Sequence, residues 1–265
     1  MKLPVAMTIA GSDSGGGAGI QADLKTFAAL GVHGTSAVTA ITAQNTEGVT
    51  RILELPVTMI QAQIDTVVDD IGVQAAKTGM LSSAAIIATV AGSIRRHRIE
   101  PLVVDPVMVA KGGARLLRSD AIDALREELV PLAAVLTPNM PEAAVLLGRE
   151  VVSLEERRQA ARDLVAMGAR AAVVKGGHAD GDVTDVFFDG SRLVELEGER
   201  VPTTNTHGSG CAFSAAIAAC LAGGAEPLEA VREAKSFITA AIENAVEIGR
   251  GHGPVNPAFR FPARR

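Results

Sequence analysis

The chain has 265 residues, with 25 Lys+Arg against 30 Asp+Glu for a net charge of −5, and its 48% apolar and 21% charged residues are a globular composition, which excludes a disordered or fibrous chain. It contains no Trp and no Tyr, so its aromatics are seven Phe. Net acidity with so few aromatics argues against stacking-based binding of single-stranded nucleic acid, and any flat ring the protein takes is expected to rest on aliphatic side chains, backbone and hydrogen bonds.

In chain order, residues 5–10 are a short apolar run bounded by glycine, a buried strand by length. The stretch 11–19, Gly-Ser-Asp-Ser-Gly-Gly-Gly-Ala-Gly, predicts a flexible loop, and residues 20–30 carry apolar positions at helical spacing up to Gly31. A β-branched strand is predicted over 36–43 and a second short one through about Leu55. A helix follows over 57–71, then a strand over 73–77 and a helix capped by Ser82 or Ser83 through about Ile94. Residues 102–104 are a strand that ends at Asp105-Pro106.

The same rhythm continues. Ser119 or Asp120 starts a helix to Leu129, and a strand over 133–136 ends at Thr137-Pro138-Asn139. A short helix follows Pro141, which suits a first helical position. A helix over 154–167, a strand over 171–174 ending at Lys175, and two strands flanking Asp189-Gly190, a hairpin signal, come next. Two helices, over 208–221 and 227–248, close the chain. Strand–helix alternation over the whole length with no linker or repeat predicts one domain, residues 1–265, built on a mainly parallel sheet with helices on both faces. In such a sheet ligands sit beyond the carboxyl ends of the strands. Asp105, Asn139, Lys175 and both glycine loops fall at those ends.

The two cysteines, Cys211 and Cys220, fall on one predicted helix, nine positions apart. That spacing is about 13 Å of rise, beyond the reach of a disulfide. The chain is therefore expected to be reduced and cytoplasmic. Its first residues run straight into a strand with no signal-peptide pattern, and its longest apolar stretch is too short for a membrane span.

Each glycine loop is a candidate site. Gly17-Ala18-Gly19-Ile20-Gln21-Ala22 fits the dinucleotide pattern G-x-G-x-x-G/A, but too many residues separate it from the strand, and no Lys stands where a Walker loop requires one. A substrate flap or phosphate cradle suits it better. Asp23, one turn into the helix, either faces the pocket or complements the helix dipole. The second loop is Asn205-Thr206-His207-Gly208-Ser209-Gly210-Cys211. Asn205 or Thr206 can cap the following helix, whose free N–H groups and dipole make an anion site. Cys211, in the first turn, is then expected to ionise, its pKa drawn from about 8.5 toward neutrality, and to accept a proton from an alcohol. Cys220 reads as a small buried hydrophobe.

The second loop resembles the anion-hole motif of the ribokinase-like small-molecule kinases, in the variant with Cys in place of the usual catalytic Asp. That variant is similar to the hydroxymethylpyrimidine/phosphomethylpyrimidine kinases of thiamine biosynthesis. The segments 10–23, 42–46, 77–81, 105–108, 137–142, 175–178 and 251–256 agree in family order, with Ser209 where Thr is more usual. The resemblance implies a three-layer α/β/α ribokinase-like fold, ATP and Mg²⁺, and a homodimer. It implies transfer of the γ-phosphoryl to 4-amino-5-hydroxymethyl-2-methylpyrimidine and then to that product's phosphate. No nucleic acid or membrane partner is expected.

On these residues the reading is as follows. An aminopyrimidine presents a donor beside a ring-nitrogen acceptor, and the Gln44 carboxamide offers the complementary pair. Met80 and Val107 are expected against the ring faces, and Gly11 and Asp23 beside the substrate. Gly208, Ser209, Gly210 and Cys211 hold the transferred phosphoryl, with Cys211 as base. Lys175, Asn139 and Thr206 are assigned to the nucleotide, and Glu142 and Asp105 to Mg²⁺ through waters. His207 stays outside the catalytic set and His178 unassigned. Pyridoxal kinase is the rival within the fold. A nicotinamide oxidoreductase using Gly17-Ala18-Gly19 and a non-catalytic ligand-sensing module are the rivals outside it.

Overall fold

Continuous burial along the central apolar runs decides the architecture, since strands buried on both faces need a layer of helices on each side. The computed structural model describes residues 3–110, 113–114, 116–177 and 183–261. Its strands are β1 (Val5–Asp13), β2 (His33–Gln44), β3 (Val49–Glu54), β4 (Ala75–Thr78), β5 (Leu102–Val104), β6 (Val135–Leu136), β7 (Ala172–Val174), β8 (Asp185–Phe188) and β9 (Leu193–Leu196). Its helices are α1 (Gly19–Ala29), α2 (Val57–Asp70), α3 (Ala84–His97), α4 (Ala121–Ala124), α5 (Met140–Leu147), α6 (Leu154–Ala166), α7 (Ser209–Ala222) and α8 (Pro227–Glu243).

The strands form a nine-stranded sheet in the order β3-β2-β1-β4-β5-β6-β7-β8-β9. The pairs from β2 through β7 are parallel, while β3 and the β8–β9 hairpin are antiparallel additions at the edges. Successive strand residues point to opposite faces. Ala75, Val103, Val173 and Phe187 join the core with α1, α7 and α8. Ala76, Leu102, Val104, Val174 and Val186 join the other core with α2, α3, α5 and α6. The expected three-layer α/β/α arrangement with a mainly parallel sheet is what forms. Each fully buried Val, Leu or Ile in these layers contributes about 1.5–3 kcal/mol.

Four local expectations change. β1 runs on to Asp13, so the first glycine loop is shorter than 11–19, and α1 already begins at Gly19. The predicted helix over 119–129 is α-helical only over Ala121–Ala124, then widens to a π turn over Leu125–Leu129 and tightens to a 3₁₀ turn over Val130–Leu132. Pro131 lacks an N–H and crowds the preceding turn, which breaks the regular ladder there. The last helix stops at Glu243 rather than 248, and Val246 and Ile248 beyond it are exposed, so no buried face sustains a further turn. Cys211 and Cys220 share α7, unbridged as predicted, but Cys220 is only half-buried. No helix of the described residues is long and apolar enough to cross a membrane.

Candidate active site

The strand order reverses direction at β1, whose neighbours are β2 on one side and β4 on the other. Crevices for ligands form at such a switch point, outside the carboxyl ends of the strands. A cleft of about 870 Å³ opens there. Across the sheet its lining runs from Gln44 (β2) and Gly11 (β1) to Lys77 (β4) and Met80 just after it, Asp105 and Val107 after β5, Asn139 and Glu142 at the start of α5, and Lys175 after β7. Thr206, Gly208, Ser209, Gly210 and Cys211 line it from the α7 side. Thirteen of the sequence-predicted site residues thus meet in one cleft, and Asp23 is the exception.

The first glycine loop is folded around a carboxylate. Asp13 Oδ1 accepts the Gly15 amide at 2.8 Å, and Oδ2 accepts those of Gly17 at 3.0 Å and Ala18 at 2.8 Å. Oδ2 also lies 2.9 Å from His207 Nε2. Burial alone would raise the Asp13 pKa, but His207 and the amides of Gly15 and Ala18 outweigh it and hold the carboxyl below the ordinary range. A dinucleotide turn keeps its amides free for a pyrophosphate, whereas here the Gly17 and Ala18 amides are taken up by Asp13. Gly208, at φ +77°, leaves no room for a Cβ against the Gly17 carbonyl, so the two glycine loops pack backbone on backbone. The loop is therefore a built wall, not the free loop the composition suggested.

Asp23 does not face the cleft. It is fully buried, accepts Thr8 Oγ1 at 2.6 Å, and grips Lys77 Nζ at 2.9 and 3.0 Å. Burial opposes the charge on Lys77, but the Asp23 carboxylate, with Asp105 nearby, outweighs it and keeps the ammonium protonated. A fully buried carboxylate requires such a partner. Asp23 thus holds Lys77, and Lys77 is the residue that reaches the cleft. In the sequence Lys77 stands out only as the first residue of the segment 77–81, with no role assigned to it.

At the other end Lys175 Nζ lies 3.2 Å from Asp105 Oδ1. Asp105 also accepts Thr137 Oγ1 and Ser214 Oγ, each at 3.2 Å. Burial opposes the charges of both partners, yet their mutual attraction lowers the Asp105 pKa and raises that of Lys175. Asn139 is the N-cap of α5 in a reciprocal capping box. Its Oδ1 accepts the Glu142 amide at 2.9 Å and its own amide donates to Glu142 Oε2 at 2.8 Å. Asn139 Oδ1 is therefore engaged in the cap, where it fixes Glu142. Burial, partly offset by Lys175, pushes the Glu142 carboxyl up to about 7.

The N-terminus of α7 faces the space between these groups. Neither Asn205 nor Thr206 caps it: Gly208 is the N-cap and supplies no side chain, while Asn205 Oδ1 accepts the Gly253 amide at 3.1 Å. The Ser209 amide donates back to Thr206 O at 3.2 Å, so it is withdrawn from the predicted anion hole. The Gly208, Gly210 and Cys211 amides have no such partner among the described residues. Gly210 sits beside the cation, since a Cβ there would lie 3.4 Å from Lys175 Nζ. Cys211 is half-buried in the cleft wall near Lys77, with the Gly19 amide donating to it. Burial nevertheless dominates and pushes its thiol up to about 11, against the expected thiolate. Cys220, on the same helix, is likewise raised to about 11 by burial.

Gln44 and Met80 line the cleft on the β1–β2 side. Gln44 Oε1 lies 3.0 Å from Thr42 Oγ1 and its Nε2 3.3 Å from His207 Nε2. Gly11 is tight against Met80, where a Cβ would sit 3.0 Å from the sulfur. His207 was set aside by sequence reasoning, and only its place in Thr-His-Gly-Ser-Gly-Cys pointed to it. His178 lies outside the described residues.

A family model described as phosphomethylpyrimidine kinase matches residues 13–256. A hydroxymethylpyrimidine/phosphomethylpyrimidine kinase of Rhizobium meliloti is 53% identical over 97% of this chain and 98% of its own length. Among solved structures, an ADP complex of Bacillus subtilis pyridoxal kinase superposes with a TM-score of 0.91 at 43% identity, covering 98% of this chain and 100% of that one. A phosphomethylpyrimidine kinase of Clostridium difficile superposes with a TM-score of 0.82 at 41% identity, covering 91% and 100%. The fold is ribokinase-like, as the motifs implied.

Proposed function

The chain belongs to the phosphomethylpyrimidine kinase family, and we propose from that premise how its cleft carries out the reaction. The protein is an ATP-dependent small-molecule kinase. It phosphorylates 4-amino-5-hydroxymethyl-2-methylpyrimidine and then that product's phosphate, in thiamine biosynthesis. The observation that carries this reading is the order of groups across one sheet edge. A carboxamide stands at one end, an ammonium–carboxylate cluster at the other, and the α7 amides with Cys211 lie between them.

Gln44 pairs with the amino group and ring nitrogen, and Met80 and Val107 press on the ring, which compensates for the missing Trp and Tyr. Gly11 lets the substrate approach the β1 backbone. The Gly208, Gly210 and Cys211 amides receive the charge on the transferred phosphoryl. Lys175 and Thr206 hold phosphate oxygens, and Cys211 takes the alcohol's proton. Phosphoryl transfer needs mostly this positioning and charge stabilisation.

Among the described residues no cluster of three or more His, Cys, Asp or Glu forms a metal cage. Mg²⁺, however, keeps several waters and takes one or two carboxylates together with substrate phosphates, a set that Glu142 and Asp105 supply. Bound there it would neutralise phosphate charge.

Pyridoxal as acceptor is the second reading, favoured by the likeness to the Bacillus subtilis enzyme. Mass spectrometry after incubation with Mg-ATP and each of the pyrimidine alcohol, its monophosphate and pyridoxal tests both. Mono- and diphosphate of the pyrimidine are the expected products. Phosphorylation of pyridoxal alone would overturn the pyrimidine reading.

The whole chain acts as one domain, since both cores share one sheet. A cytoplasmic location accords with the unbridged cysteines. A homodimer accords with the exposed pair Ile41 and Leu53 near the sheet edge.

A further inference from the structure

The contact between Gln44 and His207 poses a hydrogen-bonding problem with one solution. Gln44 Nε2 stands 3.3 Å from His207 Nε2, which is itself 2.9 Å from Asp13 Oδ2. An amide nitrogen only donates, so this arrangement needs a bare lone pair on His207 Nε2. Asp13 forbids it. Its Oδ2 already accepts the Gly17 and Ala18 amides, and Oδ1 accepts that of Gly15. A carboxylate so surrounded by donors stays ionised, and a lone pair aimed at it from 2.9 Å would be repelled. His207 Nε2 therefore carries a proton and gives it to Asp13.

With that proton in place, the Gln44 –NH₂ would face another donor. Turning the carboxamide by half a turn removes the conflict. Its oxygen then shares the single His207 Nε2–H with Asp13, as the longer arm of a three-centre bond. Its –NH₂ then donates to Thr42 Oγ1, the atom 3.0 Å away, and that hydroxyl gives its own proton to Ser12 O, also at 3.0 Å. Each contact in the chain from Asp13 to Ser12 then joins a donor to an acceptor, and one Gln44 N–H is left over. We infer that His207, anchored by Asp13, is the positioning residue that fixes the donor–acceptor order of the Gln44 carboxamide and thereby the way round in which an aminopyrimidine ring enters the cleft.

The consequence is chemical. In 4-amino-5-hydroxymethyl-2-methylpyrimidine the amino group lies between the ring nitrogen and the hydroxymethyl arm. A carboxamide that offers its oxygen to the amino group and its –NH₂ to the ring nitrogen therefore decides on which side the arm leaves. Reversing the amide turns the ring over and carries the alcohol away from its phosphoryl donor. Asp13 ends β1 beside the first glycine loop and His207 lies in the second, so the wall of the cleft also sets the polarity of the residue that reads the ring.

This inference rests on the reading of Gln44 as the ring-binding residue, and the experiment separates the two. ¹⁵N-histidine NMR on the wild-type chain reads the protonation site directly: a protonated Nε2 on His207 is expected, and a bare Nε2 overturns the inference whatever any variant does. Calorimetric binding of the pyrimidine alcohol, without nucleotide, is then compared across variants. Gln44→Leu is expected to weaken it about tenfold or more. His207→Phe keeps a ring but no donor, and a similar loss is expected, with KM for ATP changed less than about twofold. His207→Gln restores an N–H for Asp13 and a second for Gln44, and recovery to within about threefold of wild type is expected. In the double variant Gln44→Leu with His207→Phe the losses do not add. Loss with Gln44→Leu but full binding with His207→Phe, or additive losses, overturns the positioning role alone. Unchanged binding in Gln44→Leu overturns the ring-binding role of Gln44 itself.

Discussion

Cys211 shows two effects of opposite sign acting on one residue. A helix N-terminus and the Lys77 ammonium both favour a thiolate, and the position in the first turn of α7 is visible in the sequence. The helix end is worth about 0.3–1 kcal/mol. Burial raises the thiol from 9.0 to about 11 even with Lys77 beside it, a net shift of about 3 kcal/mol against ionisation. Burial wins, and it depends on packing by Gly19, Lys77 and Asp105 that no local motif reveals. If Cys211 is the base, only about one site in 10⁴ is ionised at pH 7. The rate kcat/KM for the alcohol is then expected to rise close to tenfold per pH unit from pH 7 to 9. Cys211→Asp, whose carboxylate is already ionised, flattens that rise. Cys211→Ala keeps substrate affinity and loses about 10²-fold or more in kcat. A wild-type profile that is flat over this range removes the thiol from the base's role.

At the scale of elements, α5 shows how one motif serves two purposes. Asn139 and Glu142 form a capping box, and the same Glu142 carboxyl faces Lys175 and Asp105. Its pKa is raised from 4.5 to about 7, so the native state holds this proton more tightly than the unfolded chain. The stabilisation from that proton is complete below about pH 4.5 and is lost as pH rises past 7. Glu142→Gln keeps an oxygen for the Asn139 amide but cannot ionise. In metal-free buffer it is expected to melt higher than wild type at pH 8, by about 2–3 kcal/mol of stability, with the difference fading at pH 5. An equal difference at both pH values excludes Glu142 as the buried titrating carboxyl. The cap was legible as N-x-x-E spacing, and so were most strands and helices, because apolar period and glycine stops are local signals. Lys77–Asp23 and His207–Asp13 were not, because they join residues 54 and 194 positions apart. Their partners become visible only when α1, β1, β4 and the loop before α7 converge.

At the scale of the molecule, alternation of strands and helices was enough to foresee three layers, but not the strand order. Nothing in the spacing of 49–54 says that β3 turns back antiparallel to form the outer edge beyond β2. That edge has a consequence for assembly. Ile41 on β2 pairs directly with Leu53 on β3, so their side chains stand together on one face. They are 48% and 64% exposed, although an edge strand with apolar neighbours invites another chain. A second copy covering this face accounts for two large apolar side chains left in water. Light scattering coupled to size exclusion is expected to give twice the 27.3 kDa of one chain. Leu53→Asp is expected to shift the mass to that of one chain, with melting changed by less than about 1 kcal/mol because the side chain is exposed within the protomer. Leu53 does not line the cleft, so the monomer is expected to bind ATP. A dimer that survives Leu53→Asp places the interface elsewhere, and a wild-type monomer removes the dimer altogether.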